Sequence, residues 1–297
     1  VGDVASVRAD TSFFHITGLS EAFRPGFCRF WASFRDSVVK FRGNTSATHN
    51  LINNMYLQDR VLRCYSQNID GYEAEAGILQ NVLFDPLYHE GSRSTGAAGS
   101  GVVQLHGSVC NLRCTVCMAR LPWGDVENLW LLSGELPPCP SCHDQIQDRV
   151  QKGLRARSGG VLRPDVVLYG ETHPEASEIA SLLRGDSDLG PDLLVIMGTE
   201  LKLQGPRDAV GTISRAVHSS GGVVIMVNQQ MVSFPDQGGL VDYFVHMTCE
   251  DWIETLNDAD VDHEDDAESM EYNSWSSTVL APQHEIMEEV AGLDFAA

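Results

Sequence analysis

Four cysteines stand in two pairs, Cys114-x-x-Cys117 and Cys139-x-x-Cys142, with 21 residues between the pairs. Two cysteines three apart on a turn can aim both sulfurs at one ion, and two such turns complete a tetrahedron. Four thiolates leave no open coordination position, so one structural Zn2+ per chain is expected rather than a catalytic one. Cys110 and His143 lie nearby, but neither fits the paired spacing as well. Cys28, Cys64 and Cys249 are scattered. Val1 to Asp10 show no basic-then-apolar signal pattern, so the pairs suit a metal in a reducing compartment better than disulfides. Small zinc modules draw roughly 10–16 kcal/mol of folding energy from the metal, so loss of one ligand should unfold this one.

Three further polar clusters each follow an apolar run: Gln67-Asn68-Ile69-Asp70 after Val61 to Tyr65, His106-Gly107 after Val102 to Leu105, and Gly198-Thr199 after Leu193 to Met197. In an open α/β sheet, ligands bind at the carboxyl ends of the strands. Taken singly, each cluster has a plainer reading. Asn68 and Asp70 are common turn residues, a lone His106 is more often a satisfied core histidine, and Gly198 suits a tight turn.

The elements that would position these clusters follow from hydrophobic periodicity. The near-continuous Val, Ile and Leu of Val61 to Tyr65, Val102 to Leu105, Asp165 to Leu168, Leu193 to Met197, Val223 to Val227 and Tyr243 to His246 suit strands of a parallel sheet covered on both faces. Helices are expected over much of Thr11 to Leu57. Phe23, Phe27, Phe30 and Phe34 mark one apolar helix face, and a second helix runs from about Thr48 to Gln58. Two more run from Glu175 to Arg184, ending before Gly185, and from Pro206 to Val217. The fold class is therefore α/β, a Rossmann-like doubly wound parallel sheet with a smaller inserted zinc-ribbon and helical domain. Residues 1–60 are assigned to the helical part of the small domain, and 61–106 with 161–256 to the Rossmann-like domain. Residues 107–160 form the zinc module, and 257–297 an acidic, mostly disordered tail in which Ala281 to Phe295 could become helical on contact. The Gly- and Ser-rich stretch from Gln80 to Gly101 reads as a flexible loop.

The 297 residues carry a net charge of −21, and no Lys or Arg occurs from Glu250 onward. Direct binding to a nucleic-acid backbone is not expected from that balance. The acidic end is either a solvated tail or a surface for a basic partner such as a histone tail. No run of about 18 apolar residues occurs, so no membrane-spanning helix is expected.

The order of the motifs is more informative than any one of them. Gln67 to Asp70, then Leu105 to Gly107, then the four cysteines, then Arg163 to Glu171, Met197 to Thr199 and Val227-Asn228 resembles the sirtuin family over about residues 20–256. Leu62 to Gly71 is most similar to its fungal nuclear Hst-type branch. The resemblance implies an NAD-dependent protein-lysine deacetylase acting on an acetylated lysine peptide of a histone, nuclear or otherwise cytoplasmic. It implies attack of the acetyl oxygen on the ribose carbon that bears nicotinamide, with nicotinamide, O-acetyl-ADP-ribose and free lysine as products. His106 would be the general base, its ring titrating near about 6.5 when unperturbed, with Asn68 and Asp70 as its catalytic companions. Gln67, Asn68, Ile69, Asp70, Gly198, Thr199, Glu200, Asn228, Gln229 and Cys249 would contact NAD. Val167, Tyr169, Gly170 and Glu171 would hold the substrate backbone.

Two of the family's motifs are absent, a Gly-Ala-Gly-x-Ser phosphate loop and the Gly-Ile-Pro-Asp-Phe-Arg that follows it. The expectation is a chain that starts just after them, near Val7, without the first strand or the helix end that binds pyrophosphate. A strand would then be left with an unpaired edge. Glu200 stands where the family has Ser, and its carboxylate would repel the phosphates unless it turns away. An inactive or truncated sirtuin-like binding protein is the alternative that these departures leave open.

Overall fold

The structure, a computed structural model, describes residues 11–43, 45–78, 101–232, 239–261 and 277–280. The Gly- and Ser-rich stretch at 80–100 and the expected tail helix fall outside the described residues. In chain order the helices are α1 (Arg24–Lys40), α2 (Ala47–Leu57), α3 (Tyr72–Glu75), α4 (Asp125–Leu132), α5 (Pro140–Gln151), α6 (Ala176–Asp188), α7 (Gln204–Ser219) and α8 (Cys249–Val261). The strands are β1 (Val61–Ser66), β2 (Val102–Gln104), β3 (Gly107–Cys114), β4 (Arg120–Pro122), β5 (Leu162–Val166), β6 (Leu193–Met197), β7 (Val223–Val227), β8 (Tyr243–Val245) and β9 (Ser277–Leu280). No helix among the described residues is long and apolar enough to cross a membrane. The described residues divide into two compact units, one of 11–41 with 106–173, the other of 42–43, 45–78, 101–105, 174–232, 239–261 and 277–280. Relative to the expected boundaries, α2 belongs with the large sheet and residues 161–173 with the zinc module.

The larger unit is a six-stranded parallel sheet in the order β2-β1-β9-β6-β7-β8. Successive residues of β6 face opposite layers, as a strand requires. Leu194 and Ile196 pack with Val210, Ile213 and Val217 of α7 and Ile179 and Leu182 of α6. Val195 and Met197 pack in the opposite core with Ile52 and Tyr56 of α2, and Trp252 of α8 lies against it. Each such side chain, once fully buried, contributes about 1.5–3 kcal/mol.

The chain winds outward from β1 to β2 in one direction and from β6 to β8 in the other, so the winding reverses between β1 and β6. That is the slot where an open edge is expected, and the structure fills it with β9. Ser277, Thr278 and Val279 pair with Val61, Arg63 and Cys64 on one side, and the four β9 residues pair with Leu193 to Ile196 on the other. No described strand precedes β1, but the edge beside it is closed. A four-residue strand inside the tail region carries too little pattern to be recognised by periodicity.

Helix α6 also departs from expectation. It runs past Gly185 to Asp188, because Asp186 has to reach the sheet. The Asp186 carboxylate accepts from Arg63 Nε at 3.0 Å, Arg63 Nη2 at 3.1 Å and Tyr65 Oη at 2.6 Å, all in a buried setting. A buried guanidinium needs this partner, and a Cβ at Gly185 would meet open space, so nothing there ends the helix.

The smaller unit holds a three-stranded antiparallel sheet in the order β4-β3-β5. The Asp165 to Leu168 run, expected in the parallel sheet, therefore contributes to β5 here, which starts earlier at Leu162. Its five residues, two of them charged, are all buried, so burial alone does not assign it to one sheet or the other. On α1, Phe27, Phe30 and Phe34 are buried as the spacing predicts, whereas Phe23 sits at the helix start and is half exposed. Trp31 completes that face. Its ring packs edge-on against Phe14, Phe30 and Phe34, and its Nε1 donates to Phe13 O at 3.0 Å.

Candidate active site and metal centre

The four cysteines of the two pairs come together. Their sulfurs all lie within 4.8 Å of one another, with Cys114 to Cys142 at 3.6 Å and Cys117 to Cys139 at 3.7 Å. A tetrahedral ion with Zn–S of about 2.3 Å would hold its sulfurs about 3.8 Å apart, so the cluster has the size of the expected ion. The local folding explains it. Cys117 and Val116 donate backbone N–H groups to Cys114 Sγ, and Cys139 caps α5 by accepting from Cys142 N at 3.4 Å. Pro140 at the first turn of α5 needs no such acceptor. Cys110 and His143 take no part in the cluster. Gly160 is a requirement that spacing did not reveal. A Cβ there would lie 2.4 Å from Cys114 Sγ and 2.9 Å from Val116 Cβ.

The second cluster lies at the carboxyl ends of β1, β6 and β7. Gln67 Nε2 donates to Thr199 Oγ1 at 2.7 Å, and Asn228 Nδ2 donates to Thr199 O at 2.8 Å. Thr199 Oγ1 also accepts from Leu201 N at 3.1 Å, which fixes a turn where Leu201 takes a left-handed φ of 48°. Gly198 N donates to Val227 O at 3.0 Å, continuing the pairing of β6 with β7. Three residues expected at NAD, from three separated motifs, are thus joined by hydrogen bonds, Asn228 through the Thr199 backbone carbonyl. Glu200 pairs with Lys202, which supplies the countercharge its position lacked. Gln229 O accepts from His246 Nε2 at 2.6 Å, and Cys249 opens α8 against the α2-facing core.

The loop after β1 is closed at both ends. Asp70 Oδ1 accepts from Tyr72 N at 3.0 Å, and Ser66 Oγ accepts from Asn68 N at 3.1 Å while donating to the Glu73 carboxylate. Burial raises the Asp70 carboxyl above the usual carboxylate range. Burial, with Asp70 close by, pushes Glu73 up to about 7. Burial depresses the His49 ring on α2. Asn68 Oδ1 is buried without a protein partner, a condition that a bound donor would relieve. Ile69 is half-buried beside it. Neither Ser66 nor Glu73 was singled out by motif, because a Glu two residues past an Asp-Gly turn reads as an ordinary exposed first-turn acid.

The remaining expected residues belong to the smaller unit. His106 occupies the turn that leads into β3, and its carbonyl accepts from Val167 N at 2.9 Å. Gly107 has φ of 81°, and a Cβ on it would meet Asp165 O at 2.1 Å, so a glycine must follow the histidine. Glu171 accepts from Arg113 Nη2 at 3.0 Å, from Arg163, and from Leu168 N at 3.1 Å. Arg113 also pairs with Asp165 at 3.1 Å, and Asp165 with Arg120. This charge network sets the course of 167–171 and leaves Tyr169 and Gly170 exposed. Tyr169 already uses its backbone, donating to Phe14 O at 2.7 Å and accepting from Ile16 N at 3.0 Å.

Residues 90–205 match the family model described as the Sir2 family. The chain is 35% identical over 255 residues to the NAD-dependent histone deacetylase HST3 of Saccharomyces cerevisiae, an alignment that covers 84% of this chain and 56% of that protein. It belongs to the Sir2 family. It is 32% identical over 204 residues to HST4 of the same yeast, covering 66% of this chain and 52% of that one. The chain spans about half the length of the curated relatives it matches. Among solved structures, Sir2Tm bound to a propionylated peptide is similar with a TM-score of 0.59 and 18% identity, 84% of each chain being covered. A second sirtuin structure, concerned with substrate affinity, gives a TM-score of 0.55 at 17% identity, covering 85% of this chain and 86% of that one. The Sir2 fold accounts for the parallel sheet and for the zinc-sized cluster of four cysteines.

Proposed function

We propose that this chain is the catalytic part of an NAD-dependent protein-lysine deacetylase that acts on histones in the nucleus. The observation that carries the reading is the hydrogen-bonded set Gln67–Thr199–Asn228 at the carboxyl ends of β1, β6 and β7, beside the unpartnered oxygen of Asn68. Relatives named NAD-dependent histone deacetylases support the substrate class, and so does the absence of any Lys or Arg from Glu250 onward, which suits a basic partner.

Bound NAD would supply the electrophilic ribose carbon that accepts the acyl oxygen and releases nicotinamide. On the protein side, Gln67, Asn68, Ile69 and Asp70 would orient the nicotinamide ribose and carboxamide. Gly198, Thr199 and Glu200 would border the phosphates, and Asn228, Gln229 and Cys249 would border the adenosine. His106 would take up a proton at its imidazole, a group suited to that task near neutral pH. Val167, Tyr169, Gly170 and Glu171 would line the path of the peptide, their course held by the pairing of Glu171 with Arg113 and Arg163. Cys114, Cys117, Cys139 and Cys142 would hold one Zn2+ with a purely structural role.

The test is release of nicotinamide from NAD in the presence of an acetylated histone peptide, followed by chromatography, for the wild type and for His106→Ala. The wild type should release nicotinamide in step with deacetylated peptide, and His106→Ala should lose at least about 100-fold while keeping its zinc. A wild type that releases none would sink the reading.

A further inference from the structure

The loop from Ser66 to Glu73 contains a buried carboxylate that the proposed chemistry does not use. Glu73 is completely buried. Removing a carboxylate from water is costly, and a position that only fills space would be apolar. Glu73 accepts from Ser66 Oγ, itself completely buried, and the same oxygen accepts from Asn68 N at 3.1 Å. The second tie, Asp70 Oδ1 with Tyr72 N, closes the loop from its other end. Between the two ties lie Gln67, Asn68 and Ile69. Gln67 is fixed by its bond to Thr199, whereas Asn68 keeps its side-chain oxygen buried and without a protein partner. An unpaired buried acceptor costs on the order of 1–3 kcal/mol, so something must hold it there.

We propose that Glu73 is a positioning residue that acts through Ser66 to hold the Asn68 backbone, so that the Asn68 side-chain oxygen stays presented to an amide or hydroxyl donor of the bound nucleotide. This rests on the deacetylase reading, which places NAD at Asn68. The titratable groups around Glu73 are Asp70 in the same loop, Cys64 on β1 and, next to Asp70, His49 on α2. Burial and Asp70 push the Glu73 carboxyl up to about 7. The relay works in either state. A charged Glu73 accepts from the Ser66 hydroxyl, and a neutral one donates to its oxygen, which can still accept from Asn68 N.

The experiment measures NAD affinity by calorimetry, together with kcat and KM for NAD, in Glu73→Ala, Glu73→Gln, Ser66→Ala and the double variant Glu73→Ala with Ser66→Ala. Glu73→Ala and Ser66→Ala should each weaken NAD binding about tenfold and raise KM for NAD, with kcat at saturation and zinc content kept. The double variant should be no weaker than either single one, because both substitutions cut the same relay. Glu73→Gln, whose amide can still bond Ser66, should stay within about twofold of wild type. A merely structural Glu73 would lower the melting temperature and leave affinity well below melting unchanged. Wild-type affinity in Ser66→Ala overturns the assignment even if Glu73→Ala fails to fold, and additive losses in the double variant also overturn it. A wild type that binds no NAD overturns the deacetylase reading and this assignment together.

Discussion

Gln67 and Thr199 stand 132 positions apart in the chain and share a buried hydrogen bond of 2.7 Å. Gln67 follows β1 and Thr199 follows β6, so the bond ties the ends of two strands that flank β9. Two short motifs, each explicable alone as a turn, become one surface through this contact.

Thr199→Val should show what that bond is worth. The methyl group keeps the volume but leaves the Gln67 amide and Leu201 N–H without their acceptor, in a setting where an unmet donor costs about 1–3 kcal/mol. The melting temperature should fall by several degrees, and NAD binding should weaken about tenfold. Thr199→Ser keeps the hydroxyl and should behave like wild type. Melting curves and NAD titrations on both variants check this, and equal behaviour of Val and Ser would refute it.

Gly160→Ala tests the metal centre without touching a ligand. Its methyl group would stand 2.4 Å from Cys114 Sγ and 2.9 Å from Val116 Cβ, so the knuckle has to open. The purified variant should hold well under one zinc per chain, as should Cys139→Ser, and both should melt without a cooperative transition in the small unit. Metal analysis by plasma emission reads the outcome directly. Full zinc occupancy in Gly160→Ala would mean that the knuckle shifts easily.

The zinc cluster was legible because its spacing alone demands convergence, and β1, β2, β6, β7 and β8 because buried parallel strands write themselves as apolar runs. What the residues concealed has physical reasons. Val166 to Leu168 read like the end of a parallel strand, yet β5 pairs antiparallel with β3, and its buried Arg163 and Asp165 are tolerated because Glu171, Arg113 and Arg120 neutralise them. Gly185 reads as a helix end, yet the Asp186 bond to Arg63 carries α6 past it. Phe23 keeps the spacing of an apolar face but falls at the helix start, where that face has run out. Gly160 and Glu73 carry no motif, and only their neighbours reveal what they do.

Asp186→Asn should be among the more damaging single substitutions away from the zinc. Arg63 would stay buried with a neutral partner that cannot offer two carboxylate oxygens, and breaking one side of a buried pair costs about 3–5 kcal/mol. Replacing Arg63→Met, Asp186→Leu and Tyr65→Phe together removes both charges and the hydroxyl that Asp186 accepts from, and should recover much of that loss. Urea unfolding of the three proteins provides the comparison. A triple variant as weak as Asp186→Asn would show that shape rather than charge holds α6 to β1.

The most exposing prediction concerns β9. It lies inside the sheet, bonded to β1 through Val61, Arg63 and Cys64 and to β6 through Leu193 to Ile196. In a central strand each backbone N–H serves one neighbour or the other, so a proline has no harmless place there. Val279→Pro should remove a ladder bond, fix φ, and part β1 from β6. Two apolar strands would then present bare edges, the geometry that draws chains together. The variant should elute as oligomers or aggregate at a temperature where the wild type stays monodisperse, as light scattering would show. The same parting pulls apart the strand ends that Gln67 and Thr199 bridge, so NAD affinity should fall with the oligomeric change rather than independently of it. Val279→Ile keeps the strand and should change neither property. If Val279→Pro stays monodisperse, melts like the wild type and binds NAD equally well, β9 is not what completes this sheet in solution.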